Sequence, residues 1–218
     1  MSKKFDLLVF DWDGTLVDSA NVIVFSIQGA ARDMELTEPS NEEARHVIGL
    51  GLSEAMEYLF PNLPSQKLRL LSDRYRHHYL AHDKEISLYE GVIEIIKTLH
   101  AENFLLAVAT GKSRAGLNRA FVSSGLGGYF HGSRCADETF SKPHPAMLLE
   151  LMRQLGVETR RTLMIGDTTH DLQMAINANV SGLGVTYGAH SRKNLESLVP
   201  LACIESVMKL RSWLNTNI

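Results

Sequence analysis

Only two cysteines, Cys135 and Cys203, occur among the 218 residues. They lie far apart with no paired Cys or His beside them, which excludes a disulfide framework and a zinc site. Both are expected to be packing thiols, since a free cysteine behaves as a small hydrophobe. No apolar run approaches the roughly 20 residues that a membrane-spanning helix needs. The N-terminus passes from two lysines into Leu7–Phe10, a run too brief and too soon followed by acids for a signal sequence, so the expected compartment is the reducing cytoplasm. Basic charge is not in excess either. The formal net charge is -3 and the pI about 6.3, which supplies no field for nucleic acid or an anionic membrane surface. Any affinity for phosphate must therefore be local. Repeats and low-complexity tracts are absent, and 44% hydrophobic with 22% charged residues is ordinary globular usage.

What is present is a length sufficient for a core domain carrying a smaller inserted one. Continuous apolar runs at Phe5 to Phe10, Phe104 to Ala109, Thr162 to Ile165, Gly182 to Thr186 and Leu201 to Ile204 predict strands buried on both faces. Between them, helical periodicity marks Val92 to His100, Ser113 to Ser124, Pro145 to Gly156 and His170 to Asn177. Strands alternating with helices predict an α/β fold with a doubly wound (Rossmann-like) parallel sheet. Residues 17–88 break this rhythm, with helical runs at Ala20 to Met34 and Pro64 to His82 and no buried strand. They predict an inserted helical cap domain between core segments 1–16 and 89–218. Its position after the first strand places it over the carboxyl edge of the sheet, where open α/β folds bind ligands. The crossings near Val17 to Ser19 and Ile86 to Glu90 are candidate hinges.

Four strand ends carry chemistry. The first is Asp11-Trp12-Asp13-Gly14-Thr15. Two carboxylates two residues apart repel unless a cation or a shared proton compensates, and oxygen-only ligation suits Mg²⁺. The second is Thr110-Gly111-Lys112-Ser113, a hydroxyl and backbone amides at a helix N-terminus, the arrangement that holds phosphate. Leu106 stands where a P-loop requires glycine, which excludes that nucleotide-binding motif. The third is Lys142-Pro143-His144-Pro145, where two prolines stiffen the backbone around an ammonium. In the fourth, Gly166-Asp167-Thr168-Thr169-His170-Asp171, the acids fall at a strand end and one helical turn later. Taken singly, each also reads as a capped turn, a helix N-cap or a solvated lysine. Four such ends on one parallel sheet point together to a phosphoryl-transfer site.

The order Asp-x-Asp-Gly-Thr, Thr, Lys-Pro and Gly-Asp-x-x-x-Asp resembles the haloacid dehalogenase-like hydrolases, and the insertion resembles their type 1 helical cap. Within them, Asp-Trp-Asp-Gly-Thr-Leu-Val-Asp-Ser and Ala175-Ile-Asn-Ala-Asn-Val-Ser-Gly-Leu-Gly-Val-Thr-Tyr-Gly look most like the phosphoglycolate phosphatase group. The resemblance implies a Mg²⁺-dependent phosphatase for a small-molecule phosphate ester, phosphoglycolate-like, as a monomer or homodimer without nucleic acid or membrane partners. It makes Asp11 the nucleophile that becomes an aspartyl-phosphate, and Asp13 the acid and base. Asp11, Asp167 and the Asp13 backbone carbonyl would hold the metal, with Asp171 behind them orienting water or Lys142. Thr110, the Gly111 amide and Lys142 would hold the phosphoryl oxygens. The family more often has Asn where this chain has Gly111, so contacts to the leaving group differ here.

In the cap, Arg45-His46-Val47-Ile48-Gly49-Leu50-Gly51-Leu52 is the candidate specificity segment. Gly49 and Gly51 permit close backbone approach, and Arg45 is suited to a substrate carboxylate, although a helix C-cap with a solvated Arg reads equally well. His77, His78 and His82 are expected at the surface, while Trp12 is either core or pocket wall. A phosphomutase of the same family would keep every catalytic residue. A receiver-type phosphoacceptor domain would need neither Asp13 nor a cap of this size.

Overall fold

The computed structural model describes residues 3–218. Six strands form one parallel sheet: β1 (Leu7–Phe10), β2 (Leu105–Thr110), β3 (Gly132–Cys135), β4 (Thr162–Gly166), β5 (Ser181–Val185) and β6 (Cys203–Ile204). Their spatial order is β3-β2-β1-β4-β5-β6, the doubly wound arrangement. The side-chain period of two divides the strands between two cores. Leu8, Phe10, Leu106, Val108, Leu163 and Ile165 face one of them. Leu7, Val9, Ala107, Ala109 and Met164 face the other. Burying a side chain of this size contributes about 1.5–3 kcal/mol each, so continuous apolar runs are what a two-sided sheet demands.

Helices cover both faces. α5 (Val92–Ala101), α6 (Arg114–Ser124) and α10 (Val207–Asn217) pack on the first core, α7 (Ala146–Leu155) and α8 (Thr169–Asn177) on the second, and short α9 (Arg192–Glu196) precedes β6. Two core elements depart from the expected layout. β3 was not expected because Gly-Ser-Arg-Cys has no apolar run; as an edge strand it needs none, and only Cys135 is buried. α10 buries Val207, Leu210 and Leu214 at helical spacing behind its N-cap Ser206, which accepts a hydrogen bond from the Lys209 amide.

Between β1 and α5 lie four further helices, α1 (Ala20–Asp33), α2 (Asn41–His46), α3 (Leu52–Leu59) and α4 (Ser65–His82). α1 sets Ala20, Ile23, Val24, Ile27, Ala30 and Ala31 on one buried stripe. That stripe joins Met56 and Leu71 in a third core, separate from the two on the sheet. α2 is only six residues long but carries a full capping box between Ser40 and Glu43. The two chain crossings run side by side: the Asp18 amide donates to Ser87 O at 2.9 Å and the Tyr89 amide to Leu16 O at 3.1 Å.

Register positions the site. Phe10 aligns with Val108 on β2 and Ile165 on β4, so Asp11, Thr110 and Asp167 emerge together at the carboxyl edge. The chain reverses sheet direction at β1, which makes this edge the switch point where doubly wound folds bind ligands.

Candidate active site

Asp11, Asp167 and Asp171 are fully buried, and one carboxylate oxygen from each lies within 4.8 Å of the others. Lys142 enters from the loop between β3 and α7, placing its ammonium 2.8 Å from Asp11 Oδ1 and 2.6 Å from Asp171 Oδ1. These are close ion pairs rather than aligned hydrogen bonds: among the described residues neither Asp11 oxygen, nor Asp171 Oδ1, nor Lys142 Nζ has a hydrogen-bond partner. Asp167 is better held, accepting from Thr15 Oγ1 at 2.8 Å and the Ala189 amide at 2.7 Å. Asp171 closes a capping box at the start of α8, its Oδ2 accepting from the amide and hydroxyl of Thr168. Glycines make room for these acids. At Gly14, with φ 76°, a Cβ would stand 2.1 Å from Asp167 Oδ2, and at Gly188 2.3 Å from it.

Three carboxylates against one ammonium leave buried negative charge uncompensated. Burial pushes the Asp11 carboxyl well above its ordinary pKa, with Asp171 and Asp167 adding to the shift and Lys142 opposing it. Asp167 is pushed up to about 7, chiefly by burial and then by Asp171. Burial disfavours the Lys142 ammonium, but Asp11 and Asp171 together outweigh it and hold that pKa above the lysine norm. The all-oxygen donor set, the orphaned Asp11 oxygens and the excess charge fit a hard divalent cation.

Asp13, two residues from Asp11, belongs to a different network. It accepts from Ser19 Oγ at 2.8 Å, and Lys112 Nζ reaches both its oxygens at 2.9 Å. The same ammonium donates to the Tyr79 hydroxyl on α4 at 2.8 Å. Burial opposes the Lys112 charge, yet Asp13 and Tyr79 more than compensate and raise its pKa. The motif Thr-Gly-Lys-Ser gives Lys112 no role of its own; the signal available is its place two residues beyond a strand-end Thr.

Thr110 is buried at the end of β2 and accepts from the Lys112 amide at 3.2 Å. Over it lies the cap segment that includes Gly49 and Gly51. The Gly51 amide donates to Ser141 Oγ at 2.8 Å, next to Lys142. A Cβ at Gly49 would meet Thr168 Oγ1 at 3.1 Å, and one at Gly111 would lie 2.3 Å from Leu50 O and 2.6 Å from Gly49 O. Gly49 thus packs on Thr168 of the Asp171 capping box and Gly51 on Ser141 beside Lys142, and Gly111 leaves room for the Gly49–Leu50 backbone where a side chain would block it.

Arg45 faces elsewhere. α2 ends at His46, Val47 and Ile48 line the same cavity as Asp13, and the Arg45 guanidinium lies on Asn21 Oδ1 at 2.5 Å. It lines a separate cavity with His46, Tyr58 and His190. There the His46 carbonyl accepts from His170 Nε2 at 2.7 Å and His190 Nε2 at 3.1 Å, a cap-to-core contact with no motif to announce it. Burial lowers the His170 pKa to about 4. Trp12 is core, edge-on to Phe121 and Phe130. His77 is exposed, and the half-buried His78 and His82 bond Asp33 and the His78 carbonyl. Cys135 is a buried free thiol pushed up to about 12 by burial, and Cys203 is half-buried and also free.

The site thus sets a strand-end carboxylate beside a buried ammonium at the switch point of a doubly wound sheet. Residues 8–185 match the family profile described as haloacid dehalogenase-like hydrolase, and the chain belongs to that family. It is 33% identical over 206 residues to the probable phosphatase IndB of Dickeya dadantii, covering 92% of this chain and 89% of that one. To a phosphoglycolate phosphatase of Agrobacterium fabrum it is 31% identical over 188 residues, 84% of this chain and 81% of the relative. A hydrolase from Pseudomonas syringae shares the fold with a TM-score of 0.88 at 21% identity, over 97% of this chain and 98% of that one. Such relatives, matched along most of the length, place the chain among the family's phosphatases.

Proposed function

We propose that the protein is a Mg²⁺-dependent phosphatase that hydrolyses small organic phosphate monoesters through an aspartyl-phosphate on Asp11. The observation that carries this reading is the enclosed convergence of Asp11, Lys142, Asp167 and Asp171, with both Asp11 oxygens free of hydrogen-bond donors. Asp11, Asp167 and the backbone carbonyl of Asp13 would hold Mg²⁺, which when bound supplies positive charge to phosphoryl oxygens.

An Asp11 oxygen attacks phosphorus while the bond to the leaving oxygen breaks, and Asp13, entering this step as the carboxylic acid rather than as the carboxylate partner of Lys112, gives that oxygen a proton. Asp13, now a carboxylate, takes a proton from water as the water oxygen bonds to phosphorus and the bond to Asp11 breaks, releasing inorganic phosphate. Lys142, the Thr110 hydroxyl and the Gly111 amide offset charge on the phosphoryl oxygens, and Asp171 holds Lys142 in place. Because Asp11 is wholly enclosed, residues 17–88 act as a cap that opens on the paired crossings at Leu16–Asp18 and Ser87–Tyr89, with residues 1–16 and 89–218 as the core.

The test is phosphate release over phosphoglycolate, sugar phosphates, nucleoside monophosphates and pyrophosphate, with Mg²⁺ or with EDTA. Phosphoglycolate comes first because several relatives are named for it. Acid quenching during turnover should trap the phosphoryl group on Asp11. Release that persists in Asp11→Asn would remove this residue as nucleophile, and an isomerised sugar phosphate without free phosphate would indicate a mutase instead.

A further inference from the structure

The cavity on the leaving-group side of Asp13 has a character of its own. Its volume is about 410 Å³, within the range of about 300–1,000 Å³ of pockets that enclose drug-sized ligands. Ile23, Ile27, Ile48 and Met56 line it with buried aliphatic side chains, and Tyr75 and Tyr79 stand along α4 with ring centroids 5.8 Å apart. The charged groups facing it balance: Lys112, Arg76 and Arg119 against Asp13, Glu54 and Asp137. Lys112, the one of these cations that is not exposed, is committed to Asp13 and Tyr79. Arg45, the residue suited to a carboxylate, is turned to the other cavity. Among the described residues the Tyr75 hydroxyl makes no hydrogen bond, which leaves one donor over an otherwise apolar wall.

A two-carbon acidic leaving group such as glycolate would leave most of this space unfilled, and beside it Lys112 is already paired with Asp13 and Arg76 with Asp73, while Arg119 is an exposed side chain bonded to the Ala115 carbonyl. We infer that the preferred substrate is a phosphate monoester of a bulky, uncharged alcohol with an apolar or aromatic body, seated between the α1–α3 aliphatic wall and the α4 tyrosines. The inference rests on the phosphatase reading above and names its substrate class. The bond broken is the same P–O bond: the alcohol leaves with the proton from Asp13, and water supplies the oxygen of the phosphate. Each methylene that the cavity takes out of water contributes about fourfold in affinity.

The experiment compares kcat/KM for 2-phenylethyl phosphate and phosphoglycolate in saturating Mg²⁺. Both are alkyl monoesters, so the bond being cleaved is alike and the cavity decides. The expected ratio favours 2-phenylethyl phosphate by at least about a hundredfold, a discounted count of its extra buried carbons. Met56→Gln, which keeps side-chain length but puts an amide in the apolar wall, should lower that ratio by about tenfold. The alcohol alone, 2-phenylethanol, should inhibit competitively at concentrations where glycolate does not. Phosphoglycolate turned over as well as or better than the aromatic ester would overturn the inference and leave the phosphatase reading standing. If no ester in either panel released phosphate, the phosphatase reading itself would fall.

Discussion

Gly111, just past the end of β2, lies against the segment between α2 and α3 so tightly that a Cβ on it would stand 2.3 Å from the carbonyl oxygen of Leu50. The obstacle is backbone, which cannot swing aside as a side chain can. Gly111→Ala therefore keeps the core and opposes closure of the cap. An overpacked contact costs about 1–3 kcal/mol, which corresponds to a fall in kcat/KM of about 5–150-fold. Steady-state kinetics should show that fall, with a melting temperature within about 2 °C of wild type. Unchanged kinetics would mean that the cap is not seated this way during turnover.

Asp11→Asn should reduce turnover to background while making the metal-free protein more stable. The substitution removes one charge from a buried cluster that holds three carboxylates against one ammonium, and unpaired buried charge is costly. In EDTA the variant should melt at least about 2 °C above wild type. Added Mg²⁺ should raise the wild-type melting temperature more than that of the variant, because only the former offers the full carboxylate set. A variant that melts below wild type in EDTA would contradict the charge argument.

Lys112 ties Asp13 to Tyr79 on α4. Both members of the ion pair are nearly enclosed, with side-chain exposures of 11% and 10%. Lys112→Met should therefore destabilise the protein by about 3–5 kcal/mol, the cost of breaking a buried pair. Tyr79→Phe removes one hydrogen bond to a charged group and should cost about 1.5–3 kcal/mol. Urea denaturation measures both. Combining Lys112→Met with Asp13→Asn should cost less than the sum of the single changes, and strict additivity would show that the pair does not act as a unit.

The strand ends were legible in the sequence because two-sided burial writes itself as apolar runs, and each run stops at a polar residue: Asp11, Thr110 or Asp167. Lys142 was legible through its prolines. β3 was hidden because an edge strand of Gly-Ser-Arg-Cys needs no apolar face, and α2 and α3 because six and eight residues give too few turns for periodicity to register. The surroundings of Arg45 were not legible, since spacing along α2 does not say where the chain turns after His46. The pairing of Lys112 with Asp13, and the His46 contacts to His170 and His190, join residues 99, 124 and 144 positions apart. No local pattern reports such a contact.

Asp167 gives the metal-free protein a pH dependence that its cation should reverse. Burial, reinforced by Asp171, raises its pKa from 3.8 to about 7, against the pull of the Ala189 amide and the Thr15 hydroxyl. Between about pH 4 and pH 7 the folded state therefore keeps a proton that the unfolded chain has released. The stability that this residue contributes is full at the acidic end and is lost as the pH rises, by up to about 1.4 kcal/mol per unit. His170 and His190 run the other way: burial lowers both pKa values, so below about 6.5 the unfolded chain gains protons that the folded state refuses. The wild-type curve alone mixes these opposing slopes, whereas the difference between wild type and Asp167→Asn isolates the carboxyl group. Urea unfolding in EDTA should show wild type losing stability relative to the variant from pH 4 to pH 7 and holding level above that. In saturating Mg²⁺ the carboxylate gains a partner and the trend should reverse, wild type gaining on the variant as the pH rises. A difference that stays flat with pH in EDTA would show that Asp167 titrates as an ordinary carboxylate, and the buried excess of negative charge would then lack the energetic consequence that makes it a cation site.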